Sequence, residues 1–251
     1  MYVQFISDDH FKNCVRHVLN AYDNAITLKE SIAISIERGD VFQSLLFKNI
    51  VDPFKMAFDI NKIGIEEWIK KEVLRQLDKS VEQKMGEFHQ KILGGVGGWT
   101  DLGVGHEVDL MKNDKSIYIE IKNKFNTCSG DALTAVRRKL EEITRNNHDS
   151  TAFWGYIIAK TKQKSGEEVW IKSKFNKIDS VKKIWGEKVY EIVTGDTDAL
   201  SKVYTALPIV IKEVIKEDKI VEVETIISDI IELLKPHLRS IQSEIYSEVF
   251  Q

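Results

Sequence analysis

Proline and cysteine are scarce in this chain of 251 residues, which contains three prolines and two cysteines. So few prolines, with no low-complexity tract beside them, argue against long disordered linkers. Cys14 and Cys128 are too few for a disulfide framework, and no Cys/His group has zinc-finger spacing. We therefore expect a protein of a reducing compartment, the cytoplasm.

Long apolar runs and an excess of positive charge are also missing. No stretch of about 18 apolar residues is present, which predicts no membrane span. Near the N-terminus, Asp8, Asp9 and Lys12 stand where a secretory signal would need apolar residues, so no signal peptide is expected. The formal net charge is −3, which excludes a general polycation. Any nucleic-acid site must therefore be a local patch on a mildly acidic body.

The composition is that of a globular protein long enough for a sizeable core, with 43% hydrophobic and 30% charged residues. Apolar residues at helical spacing predict that residues 1–93 are wholly α-helical, with one helix starting at Asp52-Pro53. Six glycines between Gly94 and Gly105 predict a loop. We expect one domain over residues 1–251, with a helical region (1–93), an α/β core (94–211) and C-terminal helices (212–251).

Two runs of alternating side chains follow the glycine-rich segment. Val108 and Leu110 alternate with polar residues, and Ile117, Ile119 and Ile121 do the same further on. Such alternation predicts two half-buried strands, and Lys112–Lys115 between them has the composition of a turn. We expect a β-hairpin with Asn113-Asp114 at its tip. This register pairs Val108 with Ile119 and Leu110 with Ile117.

Three charged side chains then share one face of the predicted hairpin. Side chains two apart on a strand point the same way, so Glu120 and Lys122 lie on the face that also carries Asp109. Two neighbouring carboxylates are costly unless a cation joins them. A hard divalent ion such as Mg²⁺ suits this set, since it takes oxygen ligands and keeps waters. A solvated hairpin with ordinary surface charges is the alternative.

The stretch after the hairpin predicts more of an α/β core. A helix around residues 132–143 has four basic residues on or near its outer side, namely Arg137, Arg138, Lys139 and Arg145. Phe153–Ala159 is a nearly continuous apolar run, as in a central strand buried on both faces, and Val169–Ile171 predicts one more short strand. Nine lysines and four acidic residues lie between Lys160 and Lys188, which makes this the most basic stretch and the best candidate for phosphate contacts.

Particular motifs make the resemblance to a known family specific. Asp109 followed by Glu120-Ile121-Lys122 resembles the catalytic core of PD-(D/E)XK nucleases. Three stretches, in the right order, resemble one group of type II restriction endonucleases, which cuts pentanucleotide sites of the GG-N-CC type. They are GEFHQKILG (86–94), EIKNKFNT (120–127) and KVYEIVTGDTDALSKVYTALP (188–208). One departure is Val108, which stands where that superfamily usually has proline.

The resemblance implies a mixed central sheet of about five strands flanked by helices, and it implies roles for residues of this chain. Asp109 and Glu120 would bind Mg²⁺, for which Mn²⁺ can substitute, with the Ile121 carbonyl as a further ligand. Lys122 would lie beside the attacking water. Glu87 matches an acid that in some members holds the metal or its waters, a surface glutamate being the alternative. DNA contacts would come from Lys124, Asn126, Thr127, Arg137 and Arg138.

The function implied is a sequence-specific type II restriction endonuclease that hydrolyses phosphodiester bonds of double-stranded DNA. The implied partners are a second copy of the chain and, functionally, a cognate DNA methyltransferase, with no membrane involved. Two alternatives stay open. A structure-selective or repair nuclease, such as a junction resolvase or a nickase, would use the same core. A non-catalytic DNA-binding protein would keep the fold without the metal. The bases recognised cannot be read from the sequence, because base-reading residues have no portable code.

Overall fold

The structure, a computed structural model, describes residues 1–48, 51–103, 105–160, 163–172, 175–220 and 222–250. The chain divides into two compact units. Unit 1 comprises Met1–His17 and Met85–Glu217, and unit 2 comprises Val18–Lys84 and Asp218–Gln251. The arrangement as one domain with three regions stays a prediction.

Ten α-helices occur in the described residues. They are α1 (Asp8–Leu19), α2 (Asn24–Glu37), α3 (Leu45–Lys48), α4 (Pro53–Ile63), α5 (Ile65–Gly94), α6 (Gly130–Asn146), α7 (Glu187–Thr194), α8 (Ala199–Asp218), α9 (Val223–Leu234) and α10 (Ile241–Phe250). The strands lie between α5 and α7. The predicted start of α4 is confirmed: the Asp52 carboxylate accepts hydrogen bonds from the backbone N–H groups of Phe54 (2.9 Å) and Lys55 (3.1 Å), and Pro53 occupies the first turn.

Unit 2 has a core built from helices. Apolar side chains of α2, α4, α5 and α9 pack together, among them Ile32, Met56, Ile69 and Ile230, which are almost fully buried. The described part of residues 1–93 contains helices and short turns, so the helical prediction for this region is confirmed.

Unit 1 contains a mixed sheet, and its described residues form six strands rather than about five. They are β1 (Trp99–Asp101), β2 (Leu110–Lys112), β3 (Ile117–Lys124), β4 (Thr151–Ile158), β5 (Gly166–Val169) and β6 (Val181–Trp185), in the spatial order β1-β2-β3-β4-β6-β5. β3, β4 and β6 run parallel, while β1, β2 and β5 pair antiparallel with their neighbours. α6 connects β3 to the parallel β4, as a crossover connection requires.

Two strands lie where the sequence predicted none. β1 falls inside the glycine-rich segment expected to be a loop, because Trp99–Asp101 pairs with β2. Val104 of that segment lies outside the described residues. β6 falls inside the basic stretch, and it carries two consecutive lysines that interrupt the alternation of a strand. The apolar strand predicted around residues 153–159 is confirmed as β4, which lies between β3 and β6.

The predicted hairpin is present, but its predicted register is wrong. Leu110 lies opposite Ile119 and Met111 opposite Tyr118. The turn itself is centred on Asn113-Asp114, as predicted, and the Lys115 N–H donates to the Lys112 carbonyl at 2.8 Å. The register shifts because Lys115 and Ser116 follow this turn before β3 begins. Lys115 adopts a left-handed backbone conformation (φ 59°), and the Asp114 carboxylate accepts a hydrogen bond from the Ser116 backbone N–H at 2.9 Å.

The register has a consequence for the charged face. Asp109 lies just before β2, where its backbone N–H donates to the Ile119 carbonyl at 3.2 Å and its carboxylate accepts a hydrogen bond from the Ile121 N–H. β3 is also more buried than predicted, because it is a central strand. Tyr118, Ile119, Glu120 and Ile121 are all buried, so both faces of the strand are covered. On the Tyr118 face the cover is α6, whose apolar side chains join the same core cluster as Tyr118.

Candidate active site

Asp109, Glu120 and Lys122 form one cluster on the sheet. The Lys122 ammonium donates to Glu120 Oε1 at 2.6 Å and lies 3.8 Å from Asp109 Oδ2. Asp109 Oδ2 also accepts a hydrogen bond from the Ile121 backbone N–H at 2.6 Å. The arrangement follows from local structure: Asp109 immediately precedes β2, while Glu120 and Lys122 are two apart on β3. The alternative of separate, solvated surface charges does not describe this cluster.

The environment of Asp109 disfavours its negative charge. Burial, and next the nearby charge of Glu120, raise the pKa of Asp109 to about 6. The charge of Lys122 and the Ile121 N–H act in the opposite direction but do not compensate. For Lys122, burial lowers the pKa, yet the charges of Asp109 and Glu120 outweigh it, so the pKa of Lys122 is raised and the ammonium stays charged.

A second lysine approaches the cluster from α6. Lys139 Nζ lies 4.0 Å from Glu120 Oε2, and its charge also lowers the pKa of Asp109. The sequence placed Lys139 on the outer side of the helix, among other basic residues. Helical spacing defines which side chains share a face, but it does not show that this face meets β3. No sequence signal distinguished Lys139 from its neighbours.

The donor set fits a hard divalent cation. Among the described residues no group of three or more His, Cys, Asp or Glu side chains is placed to hold a metal ion. Mg²⁺, however, is usually bound through one or two carboxylates and keeps several waters. Asp109 and Glu120 supply two carboxylates, and their mutual repulsion is what a bound cation would relieve. The two carboxylates are therefore compatible with Mg²⁺ or Mn²⁺.

Glu87 has a different partner in this structure. It lies on α5, and its Oε2 is 2.7 Å from His17 Nε2 of α1. Within the described residues, the structure does not bring Glu87 into the Asp109–Glu120 pair. Its role at the metal stays a prediction.

The predicted DNA contacts lie at two places. Lys124, Asn126 and Thr127 are exposed at and after the carboxyl end of β3, where the Thr127 hydroxyl donates to the Lys124 carbonyl at 2.9 Å. Arg138 is exposed on α6. Their positions at the surface permit contact with DNA, and the contacts themselves stay predictions.

Arg137 does not lie on the outer side of α6, and that prediction is wrong. Its side chain is 0% exposed and pairs with Glu141 at 2.7 Å. Its guanidinium donates to the backbone carbonyls of Trp170 (3.4 Å) and Asn176 (3.3 Å), and it lies 5.5 Å from the centre of the Phe175 ring. Arg137 thus joins α6 to the segment after β5, and its side chain is not at the surface where the predicted contact with DNA would require it.

Some of the positive charge between Lys160 and Lys188 is neutralised by ion pairs in the folded protein. Lys182 pairs with Glu167 at 2.7 Å, and Lys183 pairs with Glu168. These pairs join β6 to β5 and neutralise part of the charge available to phosphates. Lys162 and Lys174, which were part of the same prediction, lie outside the described residues.

Comparison with known proteins decides the family. The sequence matches the family described as Eco47II restriction endonuclease over residues 3–216. The chain belongs to the Eco47II restriction endonuclease family. It is 33% identical over 195 residues to the type II restriction enzyme Eco47II of Escherichia coli, a match that covers 72% of this chain and 80% of that one. It is 29% identical over 226 residues to the type II restriction enzyme Sau96I of Staphylococcus aureus, covering 84% and 80% of the two chains.

Membership in the Eco47II family confirms the resemblance drawn from the motifs and makes the chain a type II site-specific deoxyribonuclease. The matched range contains the whole Asp109–Glu120–Lys122 cluster, Lys139 and Glu87. The mixed sheet flanked by helices confirms the predicted fold class. In the described part of the chain, no helix combines the length and apolar character that crossing a membrane requires.

Proposed function

We propose that this enzyme hydrolyses phosphodiester bonds of double-stranded DNA with Mg²⁺ or Mn²⁺, and that Asp109, Glu120 and Lys122 carry the reaction. The observation that supports this most strongly is the cluster itself. The Lys122 ammonium lies 2.6 Å from Glu120 and 3.8 Å from Asp109, and burial together with the charge of Glu120 raises the pKa of Asp109 to about 6.

Each residue has a distinct task in this proposal. Asp109 and Glu120 would hold the cation, with the Ile121 carbonyl as an additional ligand. When bound, the cation polarises water and neutralises the charge that develops on the phosphorus oxygens. Lys122 keeps its positive charge beside the two carboxylates, where it orients the attacking water and stabilises the transition state. Glu87 supports the metal's waters, and Lys124, Asn126, Thr127 and Arg138 contact DNA.

The proposal also includes the oligomeric state of the enzyme, its partner methyltransferase and its location in the cell. One such cluster cuts one strand, and a palindromic site shows the same sequence on both strands. The simplest arrangement is therefore a homodimer whose two-fold symmetry matches that of the DNA. A cognate DNA methyltransferase would protect the host's own sites. Both cysteines are free thiols, which suits the cytoplasm.

Digestion of a mixed library of duplexes with Mg²⁺, followed by sequencing of the ends, tests the proposal. We expect ends at one short duplex sequence, with Ca²⁺ supporting DNA binding but no cleavage. Asp109→Ala and Glu120→Gln should remain folded and lose cleavage, whereas Asp114→Asn at the hairpin tip should cut normally.

Two other outcomes would overturn the proposal. Cleavage of branched DNA without sequence preference would identify a structure-selective nuclease built on the same core. Wild-type activity in Asp109→Ala would show that the catalytic residues lie elsewhere in the chain.

A further inference from the structure

Lys139 is placed beside the reacting groups by the connection between two parallel strands. It lies on α6, the helix that links β3 to β4 and packs on the face of the sheet carrying Glu120. Its Nζ lies 4.0 Å from Glu120 Oε2, while Lys122 contacts the other oxygen of the same carboxylate at 2.6 Å. The buried Glu120 carboxylate therefore lies between two ammonium groups from different elements.

The two lysines differ in how firmly they are held. A distance of 2.6 Å is a hydrogen bond, whereas 4.0 Å is too long for one. The Lys139 side chain is also 37% exposed, and no other ion pair or hydrogen bond joins its ammonium to the described residues. An ammonium has three N–H donors. Those of Lys139 remain available to a ligand that reaches the cluster from solvent.

The charges of the cluster indicate which ligand this is. Asp109 and Glu120 contribute two negative charges, and Lys122 and Lys139 contribute two positive charges, so the four side chains are neutral together. A divalent cation brings two positive charges. A phosphodiester carries one negative charge and acquires a second when the attacking water loses a proton to solvent and its oxygen adds to phosphorus. With Lys139 the transition state is neutralised, and without Lys139 one negative charge remains.

We propose that Lys139 is a further catalytic residue, whose ammonium contacts a non-bridging oxygen of the scissile phosphate. This inference rests on the proposed function, since it assumes that DNA is cut at the Asp109–Glu120–Lys122 cluster. The role is charge stabilisation by a positioned donor, not proton transfer. It is separate from that of Lys122, which is hydrogen-bonded to Glu120 and close to Asp109.

The competing role for Lys139 is that of a counter-ion to Glu120 alone. A counter-ion would influence folding and the carboxylate pair, but it would add no contact to DNA. The salt dependence of DNA binding separates the two roles, because each phosphate contact adds about 0.9 to the slope of log K against log salt concentration. Binding can be measured in Ca²⁺, so this readout does not depend on activity.

The experiment compares Lys139→Ala and Lys139→Arg with Arg145→Ala, a control that removes an exposed positive charge from the same helix. For Lys139→Ala we expect a loss of about 10²-fold or more in single-turnover rate at saturating DNA, as for other transition-state contacts. Its salt slope should fall by about 0.9. Lys139→Arg should recover part of the rate, since it keeps a charge that can bind phosphate. Arg145→Ala should keep the wild-type rate.

A Lys139→Ala protein with an unchanged salt slope and near wild-type rate, while the wild type cuts DNA with Mg²⁺, would overturn the role of Lys139 alone. Lowered thermal stability with an unchanged salt slope would assign Lys139 as a structural counter-ion and would overturn the proposal as well. A wild-type protein that cuts no duplex would instead overturn the proposed function, and this inference with it.

Discussion

Asp109 is a residue whose charge the fold makes costly. Its pKa is raised to about 6, mainly by burial and by Glu120, from an ordinary value near 3.8. A proton therefore binds the folded protein more tightly than the unfolded chain. The stabilisation that the protonated Asp109 carboxyl provides is fully present below the pKa of Asp109 in the unfolded chain. It is lost as the pH rises through the folded-state pKa of about 6. In the metal-free protein this cost is greatest at alkaline pH, and a bound cation would relieve it.

Asp109→Asn should therefore stabilise the metal-free protein at pH 8, by on the order of 2 kcal/mol. The gain should shrink as the pH falls below 6 and vanish below the ordinary pKa of an aspartate. Urea unfolding in EDTA at several pH values measures it. In the same assay, Mg²⁺ should stabilise the wild type and have little effect on Asp109→Asn.

Asp114 at the hairpin tip provides a control of opposite sign. Hydrogen bonds from the Ser116 hydroxyl and backbone N–H lower the pKa of Asp114 to about 2. Its contribution to stability is present above the unfolded-state pKa and is lost as the pH falls through the folded-state value. Asp114→Asn should therefore destabilise at pH 8. If Asp109→Asn and Asp114→Asn changed the free energy of unfolding in the same direction at pH 8, the effect of burial on Asp109 inferred here would be contradicted.

Lys122→Ala tests the other charge of the cluster. Because Lys122 is fixed by Glu120 beside the carboxylates, its removal should lower the single-turnover rate by about 10²-fold or more. DNA affinity in Ca²⁺ should change far less. Lys115→Ala, which removes an exposed lysine at the hairpin tip, is the control and should keep both. Equal losses of rate and affinity in Lys122→Ala would make Lys122 a phosphate contact only.

At the scale of elements, α5 approaches β1 very closely at its last residue. A Cβ added at Gly94 would lie 2.5 Å from the Cβ of Asp101, which no rotation of a side chain can relieve. A hydrogen bond of 2.6 Å from Gln90 to Asp101 fixes the same contact. The approach places β1 beside β2 and so supports the edge of the sheet that ends next to Asp109. Eight residues earlier on the same helix, Gly86 has open space around it.

Gly94→Ala should destabilise the protein by about 1–3 kcal/mol, because overpacking forces α5 and β1 apart. Gly86→Ala should instead stabilise it by about 0.5–1 kcal/mol, because alanine favours a helix interior over glycine. Chemical denaturation of the two variants measures both changes. If both variants move in the same direction, the contact with Asp101 does not set the position of α5.

The elements also show which parts of the fold sequence alone could predict. The start of α4 was predictable because Asp52 and Pro53 act on neighbouring backbone groups. β6 was missed because Lys182 and Lys183 resemble a solvated loop until they pair with acids on β5, about 15 residues away along the chain. The hairpin was predicted, but its register depended on the left-handed backbone of Lys115.

The residues of the site also divide into those that the sequence could predict and those that it could not. Asp109, Glu120 and Lys122 could be predicted together because strand alternation is a local rule and a known motif carries them. Arg137 and Lys139 could not be separated, since both belong to the same basic run. Contacts with Trp170 and Asn176 bury Arg137, whereas proximity to Glu120 brings Lys139 to the site. Both outcomes depend on the packing of α6 against elements distant in the sequence.

At the scale of the whole molecule, the predicted dimer needs a surface that covers apolar side chains. On α4, Phe58 is 80% exposed and Phe54 is 65% exposed. Phe54 also lines a groove of about 500 Å³ between α4 and the C-terminal helix, together with Tyr246. Exposed aromatic residues of this size are typical of protein interfaces. We therefore expect α4, in the N-terminal helical region, to form part of the dimer contact.

Sedimentation equilibrium should give a mass of twice 28.9 kDa, and the dimer should cut both strands of a duplex. Phe58→Glu should weaken the dimer at least about tenfold, since burying an unpaired charge in an interface is costly. Tyr204→Glu is the control, because Tyr204 is 77% exposed on α8. A monomer that nicks one strand of an asymmetric site would contradict the dimer and the restriction-enzyme reaction proposed here.

Apart from Glu87 on α5, the residues assigned to bond breaking come from one uninterrupted stretch of chain. Asp109 precedes β2, Glu120 and Lys122 lie on β3, and Lys139 lies on α6, the next helix. A single gene segment therefore encodes both proposed metal ligands and both lysines. Recombination that exchanges the sequence on either side of this segment would carry these four groups together to a new target. In such a lineage, the ability to cut is inherited as a block, while the choice of where to cut can change around it.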